Sequence, residues 1–101
     1  MDGEETAVIW HKNANKNFRK IIEYLSEESF SAAQIVSNAI LEEIGKLPSN
    51  PRSKPPDRFK KNNNGNFRAF LVYSYRISYF TDDNVIYILR IRHSSQEPWE
   101  Y

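Results

Sequence analysis

The spacing of apolar positions changes along the chain, and each change marks a new element. Thr6–Trp10 (TAVIW) is short, apolar and β-branched, which suits an opening strand. The period then lengthens. Phe18, Ile21, Ile22 and Leu25 fall at i, i+3, i+4 and i+7, one stripe of an amphipathic helix, and Asn13 stands where its cap belongs. This pattern breaks between Ser26 and Ser31. Either Ser29 or Ser31 can cap a second helix, and Ser31 with Gln34 has capping-box spacing. Ala32, Val36, Ala39, Ile40, Ile44 and Leu47 line one side of that helix as far as Pro48. So short a break implies an antiparallel αα-hairpin.

Pro48–Gly65 (PSNPRSKPPDRFKKNNNG) carries four prolines, four asparagines and five bases against one acid, so it should form a loop with little regular structure. Loops this long are often functional or mobile. Beyond it the period shortens to two. Asn66–Tyr73, Tyr75–Thr81 and Val85–His93 are dense in aromatic and β-branched residues. About one residue separates the first two runs, and Thr81–Asn84 reads as a hairpin turn. The predicted order is β-α-α-β-β-β. The fold class is therefore α+β, a helical hairpin packed on a mainly antiparallel four-stranded sheet, with residues 1–101 as a single domain.

Composition narrows the chemistry. Apolar residues make up 40% of the chain, enough for one compact core that leans on aromatic rings. There is no cysteine, which removes disulfides, thiolate nucleophiles and sulfur-ligated zinc. With only two histidines, far apart in sequence, neither a metal nor a cofactor is expected. The opening MDGEETAVIW lacks the basic-then-apolar order of a signal peptide, and no apolar run approaches the roughly 20 residues that span a bilayer. A soluble cytoplasmic protein without a membrane partner is the expectation. Charge is uneven: residues 1–47 hold eight acids and five bases, residues 48–101 five acids and nine bases. The C-terminal half is either a sheet with solvated arginines or a basic surface for a polyanion or an acidic partner.

The most specific segment is a tyrosine–arginine strand, Tyr75-Arg76-Ile77-Ser78-Tyr79, followed by an acidic turn. Next come a strand closing in Ile88-Leu89-Arg90-Ile91-Arg92-His93 and the tail Glu97-Pro98-Trp99-Glu100-Tyr101. Leu47-Pro48 closes the second helix ahead of the basic linker. In this order and at this length, the chain resembles the RelE/ParE superfamily of toxins over nearly its whole extent. The resemblance implies a growth-inhibiting toxin of a type II toxin–antitoxin system, of the plasmid-stabilising kind, paired with a cognate antitoxin protein. It implies one of two targets. RelE-like members are mRNA interferases that cut messenger RNA on the ribosome without a metal; ParE-like members bind and inhibit DNA gyrase and lack the nuclease residues. A non-toxic basic RNA-binding module is a third reading of the same residues.

Metal-free RNA cleavage needs a base, a cation at the crowded phosphate and an acid for the departing oxygen. By position, Arg76 matches the strand arginine of RelE-like nucleases, Arg68 a lysine on the preceding strand, and Tyr101 a C-terminal tyrosine. Ser95 stands in place of their second arginine and Phe70 in place of another base, so the nuclease set is incomplete, which tips the reading towards gyrase or another protein target. His93 can act as acid or base near neutral pH, or sit hydrogen-bonded at a strand end. Arg68 and Arg76 can equally be charge partners, with Glu97 or Asp83 as the acid, and Tyr101 a frayed terminus. Arg52, Lys54, Arg58, Lys60 and Lys61 in the loop are candidate nucleic-acid contacts or solubilising charges; Arg90 and Arg92 are contacts or a solvated face. His11 reads as a surface residue. Arg68, Arg76, His93 and the tail are expected together on one working face of the sheet.

Overall fold

A computed structural model describes residues 6–96. Strand β1 (Ala7–Trp10) leads into helix α1 (Lys12–Glu28), then α2 (Phe30–Gly45) and one short turn of 3₁₀ helix at Leu47–Ser49. Three strands complete the chain: β2 (Phe67–Val72), β3 (Tyr75–Asp82) and β4 (Val85–His93). The order matches the one read from the apolar spacing. The caps differ in detail. His11, rather than Asn13, starts α1, its Nδ1 accepting the Asn13 amide at 3.1 Å. Ser29 both ends α1 and starts α2, its hydroxyl accepting the Ala32 amide at 3.1 Å. One serine therefore turns the hairpin, and the Ser31–Gln34 box goes unused.

The sheet has the order β1-β4-β3-β2. β2–β3 and β3–β4 are antiparallel hairpins, and β1 joins the other side of β4 in parallel, so the sheet is mixed. Both helices cover one face, α1 chiefly over β4 and α2 over β2. Between them lies the core: Ala14, Ile40, Ile44 and Leu47 from the helical side against Phe70, Val72, Tyr75, Ile77, Tyr79, Ile86, Ile88 and Ile91 from the sheet. Trp10 and Phe18 close one end, ring centroids 5.4 Å apart. Ile40, Ile77, Ile86 and Ile88 are fully buried, and each contributes roughly 1.5–3 kcal/mol of transfer free energy.

The segment between the 3₁₀ turn and β2 has little regular structure, yet its backbone is satisfied. Pro55–Asp57 runs beside the start of β2 as a fragment of extra edge: the Asp57 amide donates to Phe67 O at 2.7 Å and the Ala69 amide to Pro55 O at 3.3 Å. Asn63 ties the next turn, its amide donating to Asp57 O and Phe67 O while its Oδ1 accepts from the Gly65 and Phe67 amides. Gly65 sits at φ +99°, which side chains rarely adopt. Asparagines here replace the bonds that prolines cannot make.

Candidate functional site

Strand register decides which side chains share a face. Val72 pairs with Tyr75 across a two-residue turn, Tyr73-Ser74, so Leu71 lies opposite Arg76 and Arg68 opposite Tyr79. Arg68 thus shares the helix-covered face with Phe70 and Tyr79, while Arg76 is on the uncovered outer face. The single working face expected from the sequence is split. A second feature moves residues the other way. β4 carries one extra residue against β3: Ser78 pairs with Arg90 but Tyr79 with Ile88, leaving Leu89 as a bulge. Unbroken alternation would align Arg90 and Arg92 with the buried Ile86 and Ile88. After the bulge Ile91 points into the core and the two arginines point out.

The outer face therefore gathers Arg76, Arg90 and Arg92, and the loop adds Arg58 and Phe59. Together with Leu71, Ser78 and the strand-end residues His93, Ser94 and Gln96, they line a pocket of about 200 Å³. Arg76 and Arg92 are direct cross-strand partners. Like charges placed so are destabilising unless something compensates. Part of the compensation is Asp57, whose side chain is fully buried and accepts from Arg76 Nη2 at 2.7 Å and from the Phe59 amide at 3.0 Å. The Arg76 and Arg58 guanidiniums both lie over the Phe59 ring, 4.8 and 4.9 Å from its centre. Asp57, an acid not considered in reading the sequence, is thus Arg76's partner; Asp83 lies at the far turn and Glu97 falls outside the described residues.

Arg68 is occupied on its own face. Its Nε donates to Gly65 O at 2.9 Å and its Nη1 to the Arg52 and Lys54 carbonyls, fastening both ends of the loop. Arg52 donates to Gly65 O and Asn66 Oδ1. Lys54 sits 4.8 Å from the Phe70 ring centre and 3.7 Å from Glu43, and Lys60 lies over Phe67 at 4.8 Å. Lys61 is exposed. Most of the loop bases therefore have contacts that hold the loop itself. Tyr79, with no exposed surface, donates its hydroxyl to Pro51 O at 2.6 Å; burial pushes that hydroxyl's pKa up.

His93 stands at the end of β4, at the rim of two openings. Its Nδ1 accepts the Ser95 amide at 3.0 Å and lies 2.7 Å from Ser95 Oγ, so the neutral ring carries its proton on Nε2. Ser95, at the position of the nucleases' second arginine, orients a histidine instead. The second opening, about 540 Å³, lies on the helix side between α1 and β4, with Lys20, Tyr24, Tyr75 and Arg92 along it. Burial, then the neighbouring Tyr24, raises the pKa of the Tyr75 hydroxyl. Tyr101 lies outside the described residues. Among the described residues no three His, Asp or Glu side chains group to hold a metal, and no helix is long and apolar enough to cross a membrane.

Residues 8–98 match the family model described as the ParE toxin of type II toxin–antitoxin system, parDE. No curated protein sequence matches. Several solved structures share the fold. One is described as the chromosomal ParDE system from P. aeruginosa, with TM-score 0.70, 17% identity and coverage of 88% of this chain and 96% of that one. Another is the toxin–antitoxin complex RelBE2 from Mycobacterium tuberculosis, with TM-score 0.60, 20% identity and coverage of 94% and 98%.

Proposed function

Because the chain belongs to the ParE toxin family of type II toxin–antitoxin systems, we propose that it arrests bacterial growth by binding a protein target, DNA gyrase, and that a cognate antitoxin holds it inactive. One observation carries the choice of target: the strand arginine a nuclease would aim at the scissile phosphate is latched to the buried carboxylate of Asp57. Asp57 already takes one Nη2 hydrogen bond and offsets the guanidinium's charge, which lessens the stabilisation Arg76 could add at a phosphate. Arg68 faces the other side of the sheet, so of the candidate nuclease residues among those described only Arg76 and His93 share the pocket. RelE-like cleavage keeps one supporting feature, the Nε2 of His93 at the rim of the arginine pocket.

The test is a supercoiling assay with purified gyrase and relaxed plasmid, run beside a translation extract in which transcript ends are mapped. The proposal expects gyrase inhibition at stoichiometric toxin and intact transcripts. Ribosome-dependent cuts with gyrase untouched would replace it with the nuclease reading. Arg76→Lys is the informative variant, because it keeps a charge for Asp57 yet loses the bidentate fork. A nuclease should lose about 10²–10³ in rate when such a group fails, whereas gyrase inhibition should change only modestly.

A further inference from the structure

Strand β1 stops short of the end of its neighbour. Its last register pair is Trp10–Ile88, so β4 runs on from Leu89 to His93 with no strand of the sheet on that side. The ladder shows where this stretch of backbone points. The Ser94 amide donates to Ser74 O on the β3 side, while the Ile91 amide turns the other way, to Asn17 Oδ1 of α1 at 3.1 Å. Pairs alternate along an antiparallel ladder. His93 has the parity of Ile91, so its N–H faces the open edge, where no group among the described residues accepts it. This edge borders the opening of about 540 Å³ between α1 and β4. Ile21, Leu25 and the buried Ile91 give the opening an apolar side, and Tyr24 stands exposed along it. Lys20 and Arg92 line it too. Neither has an acidic partner among the described residues, and no lining residue is an acid.

We propose that this opening captures an acidic, apolar segment of the chain's protein target. A carboxylate is held by Lys20, Arg92 and the His93 N–H, and a neighbouring large apolar side chain lies over Tyr24, Ile21 and Leu25. The inference rests on the reading of gyrase as target and names the chemistry of the contact. Charge decides the occupant. A basic or neutral segment would leave two cations in one opening uncompensated, whereas a carboxylate accepts from both and from the amide. Such charge-assisted bonds are about twice as strong as neutral ones. The apolar side then shuts water away from them, as the contacts around an interface anchor do. A free phosphate would use the cations and leave the apolar side bare.

The site is read first without gyrase, by NMR titration of the purified full chain. The probes are the blocked peptide acetyl-Ala-Leu-Glu-Phe-Ala-amide, its counterpart with glutamine for glutamate, and inorganic phosphate. Shifts at Lys20, Tyr24 and His93 with the acidic peptide, and affinity about tenfold weaker for the glutamine form, support the proposal. No binding, equal affinity for the two peptides, or phosphate binding as tightly as the acidic peptide would each overturn it. The occupant is then tested in the supercoiling assay with the Lys20→Gln/Arg92→Gln double variant. Both side chains lie outside the core, and losing Arg92 removes a like charge opposite Arg76, so the variant should fold. Inhibition should need about tenfold more of the variant than of the unmodified chain, with an unchanged unfolding midpoint. Equal inhibition would overturn the link to the target. Gyrase left untouched by the unmodified chain is failure of the target reading, which the peptide titration separates from failure of the site.

Discussion

Asp57 and Arg76 show how one residue's role depends on another's presence. Removing Arg76 leaves a fully buried carboxylate without its guanidinium, whereas removing Asp57 restores Arg–Arg repulsion across β3 and β4. Breaking one side of a buried pair typically costs about 3–5 kcal/mol. Asp57→Ala should therefore lower unfolding stability by about 3 kcal/mol in urea titration, and the Asp57→Ala/Arg76→Ala double variant should lose less than the two single losses combined. Additive losses would show that the pair is not coupled. Arg76→Ala consequently confounds toxicity with folding. Tyr79 makes a separate prediction. Its buried hydroxyl has a pKa above the ordinary 10.0, as does Tyr75's, so the folded chain keeps protons that the unfolded chain releases. Their contribution is complete below about pH 10 and is lost as pH climbs through the folded values. In Tyr79→Phe the alkaline decline should shrink, and about 1 kcal/mol should go with the bond to Pro51 O.

At the scale of elements, helices and strands were legible because burial imposes their periods, and four strands and two helices stand within a residue or two of the expected bounds. The site was less legible, because it depends on two single-residue details. A one-residue gap between β2 and β3 would have set Arg68 and Arg76 on the same side. The actual turn has two residues, and a slip of one exchanges the faces. The Leu89 bulge did leave a trace, since Ile86 and Ile88 are two apart but Ile88 and Ile91 three. Asp57 was hidden for a different reason: a lone acid in a basic loop gives no period, and only the fold carries the loop to Arg76. The β2–β3 turn also holds a correctable strain. Tyr73 is exposed at φ 53°, a left-handed conformation that asparagine tolerates far better than tyrosine. Tyr73→Asn should raise stability by up to about 1 kcal/mol in thermal unfolding. An unchanged or lowered midpoint would show that the ring's contacts outweigh the backbone strain.

Across the whole molecule, one sheet separates two kinds of surface. The helix side is built for stability, its arginine and tyrosine spent on fixing the loop. The outer side carries the arginines Arg58, Arg76, Arg90 and Arg92 together with the exposed Tyr87. An antitoxin segment attracted by that charge should bind less tightly as salt rises, since exposed pairs are screened over about 8–10 Å at physiological ionic strength. Calorimetry across a salt series would show this, and a flat profile would assign the affinity to apolar anchors. Under the proposed function, the latched Arg76 leaves the chain unable to cut RNA while it still stops growth. The direct measurement is induction of the unmodified chain in a bacterium, with transcript 5′ ends mapped and plasmid supercoiling followed in the same culture. A gyrase-directed toxin should give growth arrest with altered supercoiling and transcript ends identical to those of uninduced cells. New 5′ ends within translated codons, appearing before any change in supercoiling, would contradict it.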